Sequence, residues 1–286
     1  MKQDKVIKAI LLVIALSAIT GLAVITVFIF KEGLPIILKV GGGEFFLSSN
    51  WKPSEGHFGI FFMIAGSLAV TAGAMVIGFV FGLGLAIVLT QFSPPKLAGA
   101  LKPAIELLAG IPSVVYGFVG VVTLVPLIRA HLGGPGLSVL AASVVLGIMV
   151  LPTVTSISVD ALQAVPRAFW EGSIALGATR WQTTYMVMLK AARSGIVAAL
   201  ILGMGRAVGE TMAVIMVAGN PLETPSSILD PVRTLTSNIA LEMGYASGEH
   251  RQALFATGVT LFVIIMLLNI VALRFSRHRA RKGGAR

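Results

Sequence analysis

The sequence of 286 residues contains no cysteine and has little charge and few aromatic residues. The absence of cysteine excludes disulfides, iron–sulfur clusters and thiolate metal sites, and the four histidines lie too far apart in sequence to share a ligand spacing. Charged residues make up 12% of the chain, about half of their usual share in soluble domains. We therefore expect no metal or redox centre, and too little charge to cover a water-soluble surface.

Apolar residues make up 56% of the chain, with 32 glycines and a mean hydropathy of +0.93. Small and aliphatic residues in this proportion suit helices that pack closely within lipid. Six runs with little charge are long enough to cross a bilayer, which predicts an all-α membrane protein of about six transmembrane helices. These runs cover residues 9–30, 60–92, 104–128, 137–159, 194–217 and 253–273.

The positive charges predict the orientation of the chain. Most of the 22 Lys and Arg residues fall on one side of the predicted spans, so the positive-inside rule places both termini in the cytoplasm. The basic C-terminal tail directly follows the last span and is better explained as a membrane anchor than as a nucleic-acid patch. The predicted organisation is a cytoplasmic tail (1–8), a transmembrane domain (9–275), external loops (31–59 and 219–252), a cytoplasmic loop (160–190) and a basic cytoplasmic tail (276–286).

Motifs for catalysis and for nucleotide binding are missing from the sequence. It contains no G-x-x-x-x-G-K-[ST] loop, no G-x-S-x-G elbow and no H-E-x-x-H helix. The pairs Gly78/Gly82 and Gly205/Gly209 lie inside spans, where small residues favour close helix packing. We therefore expect no enzyme and no cofactor in this chain, and a partner subunit must supply any energy that transport requires.

The longest cytoplasmic loop between spans, residues 160–190, predicts two short helices joined by a sharp turn. Pro166 suits the first turn of a helix, and Gly177 suits a C-terminal cap. The helices carry large apolar side chains: Phe169, Trp170, Ile174 and Trp181. Such a helix fits the groove of a partner whose movement would reach span five, and it equally fits an amphipathic helix resting on the membrane.

The same loop resembles a known signature. Glu171, Gly177 and Val187 have the spacing of the EAA motif (E-A-A, three residues, Gly, nine residues, I-x-L-P) of permease subunits of ATP-binding-cassette (ABC) importers, although Lys190 replaces the family proline and Gly-Ser replaces the two alanines. Three segments resemble in particular the C-type permease of the phosphate-specific transport system: residues 107–117, 175–181 and 205–220.

This resemblance implies the type I ABC importer permease fold in the bacterial cytoplasmic (inner) membrane. It implies a heterodimer with an A-type permease, two ATPase subunits that bind ATP and Mg²⁺, and an extracytoplasmic phosphate-binding protein. It assigns the contact with the ATPase to Glu171, Gly177, Ala178, Thr179, Arg180 and Trp181. Two alternatives stay open: a permease for another oxyanion (molybdate, sulfate or phosphonate), and an ion-coupled anion transporter, although the sequence lacks the internal repeats typical of the latter.

Two charged residues, Arg206 and Glu210, lie near the middle of predicted span five. Their i,i+4 spacing places them on one helix face, where they can pair. A charge at that depth costs about 2.5–3.5 kcal/mol, so it is usually retained for a function. The pair is either a structural bridge or part of an anion pathway in which Arg206 binds phosphate oxygens, and the resemblance favours the pathway. We also hypothesise that Glu210 favours phosphate over sulfate by accepting the P–OH proton.

Overall fold

The computed structural model of the chain describes residues 2–283, and the side chains of residues 7–8 and 10–274 among them. The whole of the predicted basic tail (276–286) and most of the N-terminal tail (1–8) therefore lie outside the described side chains. The elements are α1 (Lys2–Val40), α2 (Gly42–Leu47), β1 (Trp51–Lys52), β2 (His57–Phe58), α3 (Phe61–Ile87), α4 (Pro95–Ala109), α5 (Ser113–Val119), α6 (Val125–Leu132), α7 (Val139–Gln163), α8 (Arg167–Ala175), α9 (Arg180–Thr183), α10 (Leu189–Ala191), α11 (Arg193–Gly209), α12 (Met212–Ala218), α13 (Leu235–Glu242) and α14 (Gly248–Gly283).

The helices confirm an all-α membrane architecture of about six spans. Three π-helical turns connect helices into longer units: Val88–Phe92 extends α3, Gly120–Leu124 joins α5 to α6, and Thr184–Met188 joins α9 to α10. Five continuous apolar helices are long enough to cross a bilayer: Ile10–Val40, Phe61–Phe92, Ser113–Leu132, Val139–Gln163 and Gly248–Arg274. The sixth candidate is a bent pair, Arg180–Ala191 and Arg193–Gly209, with an angle of 71° between its halves.

The third span begins later than the sequence predicts. Residues 104–109 belong to α4, and the chain then turns at Gly110 and Pro112 before α5 begins. The hydroxyl of Tyr116 donates to the carbonyl of Leu108 over 2.8 Å and holds this corner. Proline lacks the N–H that a continuous helix needs and disfavours helical geometry in the residue before it, so the apolar run 104–128 is divided between two helices.

The amphipathic helix α4 is tied to the end of α7 by an ion pair. Lys102 Nζ donates to Asp160 Oδ1 over 2.9 Å. This hydrogen bond raises the pKa of Lys102 above its ordinary value, against the opposing effect of burial. The pair therefore fixes α4 beside the end of α7 that leads into α8.

Glycines allow close contact between α3 and α7, which form the centre of the bundle. A Cβ atom at Gly78 would lie 2.9 Å from the carbonyl oxygen of Gly147, and one at Gly82 would lie 3.0 Å from the side chain of Val154. A methyl group at either position would force the helices apart. The predicted packing through Gly78 and Gly82 is thus confirmed.

The first span is longer than predicted, because α1 continues through the charged residues that end its apolar run. A Cβ at Gly33 would lie 2.7 Å from the backbone of Phe255 and Ala256, so α1 and α14 are in backbone contact there. Beyond this point Ile36 and Ile37 are buried against the short β1–β2 hairpin, α13 and α14. The segments predicted as external loops therefore share one packed core at the end of the bundle opposite α8.

A buried carboxylate joins three parts of this core. Glu242 Oε1 accepts a hydrogen bond from Arg233 Nη1 over 2.7 Å, whereas Oε2 accepts from Trp51 Nε1 over 2.9 Å and lies 2.8 Å from His250 Nε2. A buried charge with several partners avoids the large cost of an unpaired one. The network thus ties the hairpin, α13 and the start of α14 together.

Candidate functional site

The fifth span is interrupted twice. The first interruption is at Ala192, where φ is −77° and ψ is 0°, and the chain bends by 71° between α10 and α11. The helix break that the family proline normally makes is therefore present two residues after Lys190, without a proline. The second is at Glu210, whose φ of −69° and ψ of 132° are extended, between α11 and α12.

Arg206 and Glu210 do not pair as predicted. Arg206 Nη1 donates to the hydroxyl oxygen of Thr153 on α7 over 3.1 Å, whereas Glu210 Oε1 accepts from the backbone N–H of Ala213 over 3.2 Å. Within the described part of the chain no ion pair joins the two. The prediction assumed a continuous helix, but α11 ends at Gly209 and the backbone of Glu210 leaves the helical path, so the side chains do not share a face.

Each charge instead lies at a helix end of suitable polarity. Arg206 is in the last turn of α11, near carbonyls that carry partial negative charge, and Glu210 caps the first turn of α12, whose free N–H groups carry partial positive charge. Both residues are half-buried. A guanidinium has five N–H donors, and the described residues accept from only one of those of Arg206, so the others can bind an oxyanion.

The surface beside Arg206 is open. Apart from the neighbouring backbone of α11 and the adjoining residues, a Cβ at Gly205 or Gly209 would have no atom of the described chain within 4 Å. The predicted helix packing through this pair is therefore not made within the described chain, in contrast to Gly78 and Gly82. An anion can approach Arg206 along this bare stretch of backbone without meeting side chains of α11 at these two positions.

The loop at residues 160–190 has the predicted helix, sharp turn and second helix. Pro166 directly precedes α8, and Gly177 has a φ of +87°, the left-handed conformation that glycine adopts without strain. Thr179 then begins α9 through a reciprocal capping box with Gln182, with hydrogen bonds of 3.3 and 2.8 Å. The sequence analysis missed this box, although its T-x-x-Q pattern is readable in the sequence.

The second half of the loop is anchored to the membrane helices, while α8 presents an exposed surface. Ser173 and Thr183 share a hydrogen bond of 2.9 Å that joins α8 to α9. The Trp181 ring lies 6.2 Å from that of Phe92 at the end of the second span, yet Trp181 remains 61% exposed. Leu176, at the end of α8, is 90% exposed. Such large exposed apolar side chains on one short segment indicate a docking surface.

The charged residues predicted for this contact are also exposed. Glu171 and Arg180 have no side-chain hydrogen bond or ion pair within the part of the chain that the structure describes. Ala178 and Thr179 lie at the turn between α8 and α9. Beside Glu171, a cavity of about 580 Å³ separates α8 from the π-helical turn of α3; its polar lining includes Thr90, Gln91, Gln163 and Arg167. Of the six predicted coupling residues, the structure leaves five exposed and Ala178 half-buried, and all six lie within the stretch from α8 to α9.

Comparison with known proteins assigns the fifth span and the loop at residues 160–190 to one class of transport protein. A model of the family described as "Binding-protein-dependent transport system inner membrane component" matches residues 78–282. The "Probable ABC transporter permease protein YqgH" of Bacillus subtilis is 43% identical over 275 residues, which cover 93% of this chain and 88% of that protein. The "Phosphate transport system permease protein PstC" of Haemophilus influenzae is 34% identical over 293 residues, which cover 92% and 93% of the two proteins.

Solved structures show the same arrangement of helices. A chain of a bacterial ABC transporter involved in the import of the acidic polysaccharide alginate matches with a TM-score of 0.64 at 16% identity, covering 97% of this chain and 99% of that chain. A chain of the inward-facing MetNI methionine ABC transporter matches with a TM-score of 0.61 at 22% identity, covering 80% and 99%. At these identities the likeness concerns the fold.

Proposed function

Since this chain belongs to the family of binding-protein-dependent transport system inner membrane components, we propose that it forms part of the pathway by which an ABC importer carries inorganic phosphate into the cytoplasm. The chain is a multi-pass permease subunit of the inner membrane with the type I importer fold, as the resemblance implied. It is a transport component and not an enzyme. The relatives named as phosphate permeases support phosphate as the substrate.

The observation that carries the proposal is the state of Arg206. Its guanidinium is half-buried at the end of a helix inside the membrane region, has one hydrogen bond to Thr153, and adjoins the open surface at Gly205 and Gly209. A planar cation with free N–H donors matches the oxygens of a phosphate better than a lysine would. A charge kept at this depth for structure alone would normally be paired, and among the described residues Arg206 has no ion-pair partner.

Glu210 has a second role in this proposal. One of its oxygens accepts from the N–H of Ala213, which holds the carboxylate at the start of α12 while the other oxygen has no partner in the described residues. Hydrogen phosphate carries a P–OH proton that this oxygen can accept, whereas sulfate carries none. Glu210 would therefore favour phosphate over sulfate.

The surface around α8 is the proposed contact with the ATPase. The importer family implies an ATPase and a substrate-binding protein as partners. We propose in addition an A-type permease as the heterodimer partner, two ATPase subunits that hold ATP and Mg²⁺, and a phosphate-binding protein on the outer side. This arrangement places both termini and α8 in the cytoplasm. Leu176 and Trp181 would enter a groove of the ATPase, and α9 and α10 would transmit its movement to α11.

Uptake of radiolabelled phosphate by the assembled transporter in vesicles tests the pathway. We expect Arg206→Gln to lose transport at matched membrane abundance, because it removes both the anion contact and the local positive charge. Arg206→Lys keeps the charge without the planar fork and should retain part of the rate. Arg129→Gln is the matched control, since Arg129, in the last turn of α6, donates among the described residues only to the nearby carbonyl of Pro135. Normal uptake by Arg206→Gln would exclude the proposed pathway.

The same preparation separates the alternatives. Strong inhibition of phosphate uptake by sulfate, molybdate or phosphonate would identify another oxyanion as the substrate. Glu210→Gln should weaken discrimination against sulfate more than it weakens phosphate uptake. Uptake that continues without ATP and follows an ion gradient would favour the ion-coupled transporter instead.

A further inference from the structure

One hydroxyl group holds the guanidinium of Arg206 within the described part of the chain. Arg206 Nη1 donates to Thr153 Oγ1 over 3.1 Å, from α11 across to α7. Both residues are half-buried. Because a flexible arginine side chain has many rotamers, this bond determines where its remaining N–H groups point.

The hydroxyl of Thr153 differs from others in the helices of this chain. Thr155, two residues further along α7, donates to the carbonyl of Leu151 over 2.8 Å, and Thr257 and Thr260 make the same bond to the carbonyl four residues earlier. This is the usual partner of a helical threonine within a membrane. Thr153 accepts from Arg206 instead, and its own proton has no acceptor among the described residues.

A hydroxyl can accept one hydrogen bond and donate another at the same time. When the accepted bond comes from a cation, the hydroxyl becomes a stronger donor through polarisation. The hydrogen bond between Arg206 and Thr153 therefore holds the hydroxyl proton of Thr153 close to the remaining N–H groups of Arg206. Together these donors can bind two oxygens of a single tetrahedral oxyanion.

We propose that Thr153 is a second anion-binding residue of the pathway, an inference that rests on the proposed function. Thr153 orients Arg206 and donates a hydrogen bond from its own hydroxyl to an oxygen of the passing oxyanion. Any tetrahedral oxyanion has an oxygen that can accept this hydrogen bond. Thr153 therefore contributes to the rate of passage. Discrimination between phosphate and sulfate remains with Glu210.

The test compares three variants of α7 in the complete transporter, reconstituted in proteoliposomes with its permease partner, ATPase and binding protein. Thr153→Val keeps the shape of the side chain and removes the hydroxyl, and Thr153→Ser keeps the hydroxyl. Thr155→Val is the matched control, because Thr155 is buried on the same helix and bonds to Leu151 and Gly82 rather than to Arg206. The readouts are uptake of radiolabelled phosphate and ATP hydrolysis, both corrected for the amount of protein.

We expect Thr153→Val to lower the rate of phosphate uptake by about tenfold or more, the loss typical of a hydrogen bond to a charged group. Thr153→Ser should restore most of it, and Thr155→Val should stay within about twofold of wild type once corrected for abundance. In the Arg206→Lys background, which should retain part of the rate, Thr153→Val should cause a smaller loss than in wild type, because the two residues act on the same anion.

Each other result overturns the proposal in a recognisable way. Wild-type uptake by Thr153→Val, with Arg206→Gln inactive, would exclude Thr153 and leave the proposed function intact. Equal losses in Thr153→Val, Thr153→Ser and Thr155→Val would assign a packing role to this part of α7. Normal uptake by Arg206→Gln would exclude the pathway itself and the role of Thr153 with it.

Discussion

Gly177 provides the sharpest test of how this subunit couples to an ATPase. Its φ of +87° lies in the left-handed region, and a Cβ there would have no atom within 4 Å. A substitution therefore acts through backbone strain alone, without a steric clash inside this chain. Gly177→Val introduces that strain in full, because a β-branched side chain disfavours positive φ.

The strain can be converted into an effect on binding. An L-residue in the left-handed conformation costs about 1–2 kcal/mol. If the turn relaxes in the free subunit, docking must force it back into the left-handed conformation and binding is weakened by this energy. The affinity for the ATPase should therefore fall by roughly 5- to 30-fold. Gly177→Asn should lose much less, since asparagine tolerates this conformation. Gly172→Ala is the control: it also has open space around its Cβ, but it lies within α8, where alanine is favoured.

The assay is a titration of the ATPase onto the permease in lipid nanodiscs, followed by ATP-driven phosphate uptake by the assembled transporter. The expected order of affinity is wild type and Gly172→Ala, then Gly177→Asn, then Gly177→Val. Binding and uptake by Gly177→Val within about twofold of wild type would refute the claim that the turn at Gly177 sets the docking geometry.

Three further predictions concern other parts of the chain. In this cysteine-free protein, a cysteine at His57 should react with an impermeant thiol reagent in intact cells and one at Arg180 should not; labelling at position 180 would reverse the proposed orientation. Hydrogen bonds from neighbouring serines lower the pKa of Asp230 below its usual 3.8. They therefore stabilise the loop between α12 and α13 above that pH, and this stabilisation is lost as pH falls through the lowered value. Asp230→Asn should make the loop accessible to proteases at neutral pH, and unchanged cleavage would contradict this. Gly195→Val should reduce abundance and uptake, because a Cβ there would lie 2.3 Å from that of Ala161; normal values of both would contradict the close contact of α11 with α7.

Local signals in the sequence were sufficient for the cytoplasmic loop. Pro166 and Gly177 act through their own backbone preferences, which depend little on the rest of the fold, so the order of helix, turn and second helix could be predicted, although Pro166 lies just before α8 and not in its first turn. The number of spans was predictable for a similar reason, because each needs about 20 apolar residues whatever its neighbours are.

The candidate anion site was predictable only in part. The depth of Arg206 was sufficient to single it out, but its partner Thr153 lies on another helix, and no spacing in one sequence relates the two. The break at Glu210 was missed because helix spacing rules assume that the helix continues. Gly209 directly before it is a weak helix former, yet glycine is common inside membrane helices and therefore a poor signal of an end.

The two breaks in the fifth span relate the coupling surface to the candidate anion site. Between Ala192 and Glu210, α11 is a rigid rod of 17 residues, which at 1.5 Å per residue is about 26 Å long. In the proposed coupling, a movement of α8 and α9 would reach the first end of this rod through α10, and Arg206 lies in the last turn at the other end. A rotation of about 5° about Ala192 would then displace that end by about 2 Å, given the length of the rod. This distance is enough to break the 3.1 Å bond between Arg206 and Thr153 and to change which donors face the open surface at Gly205.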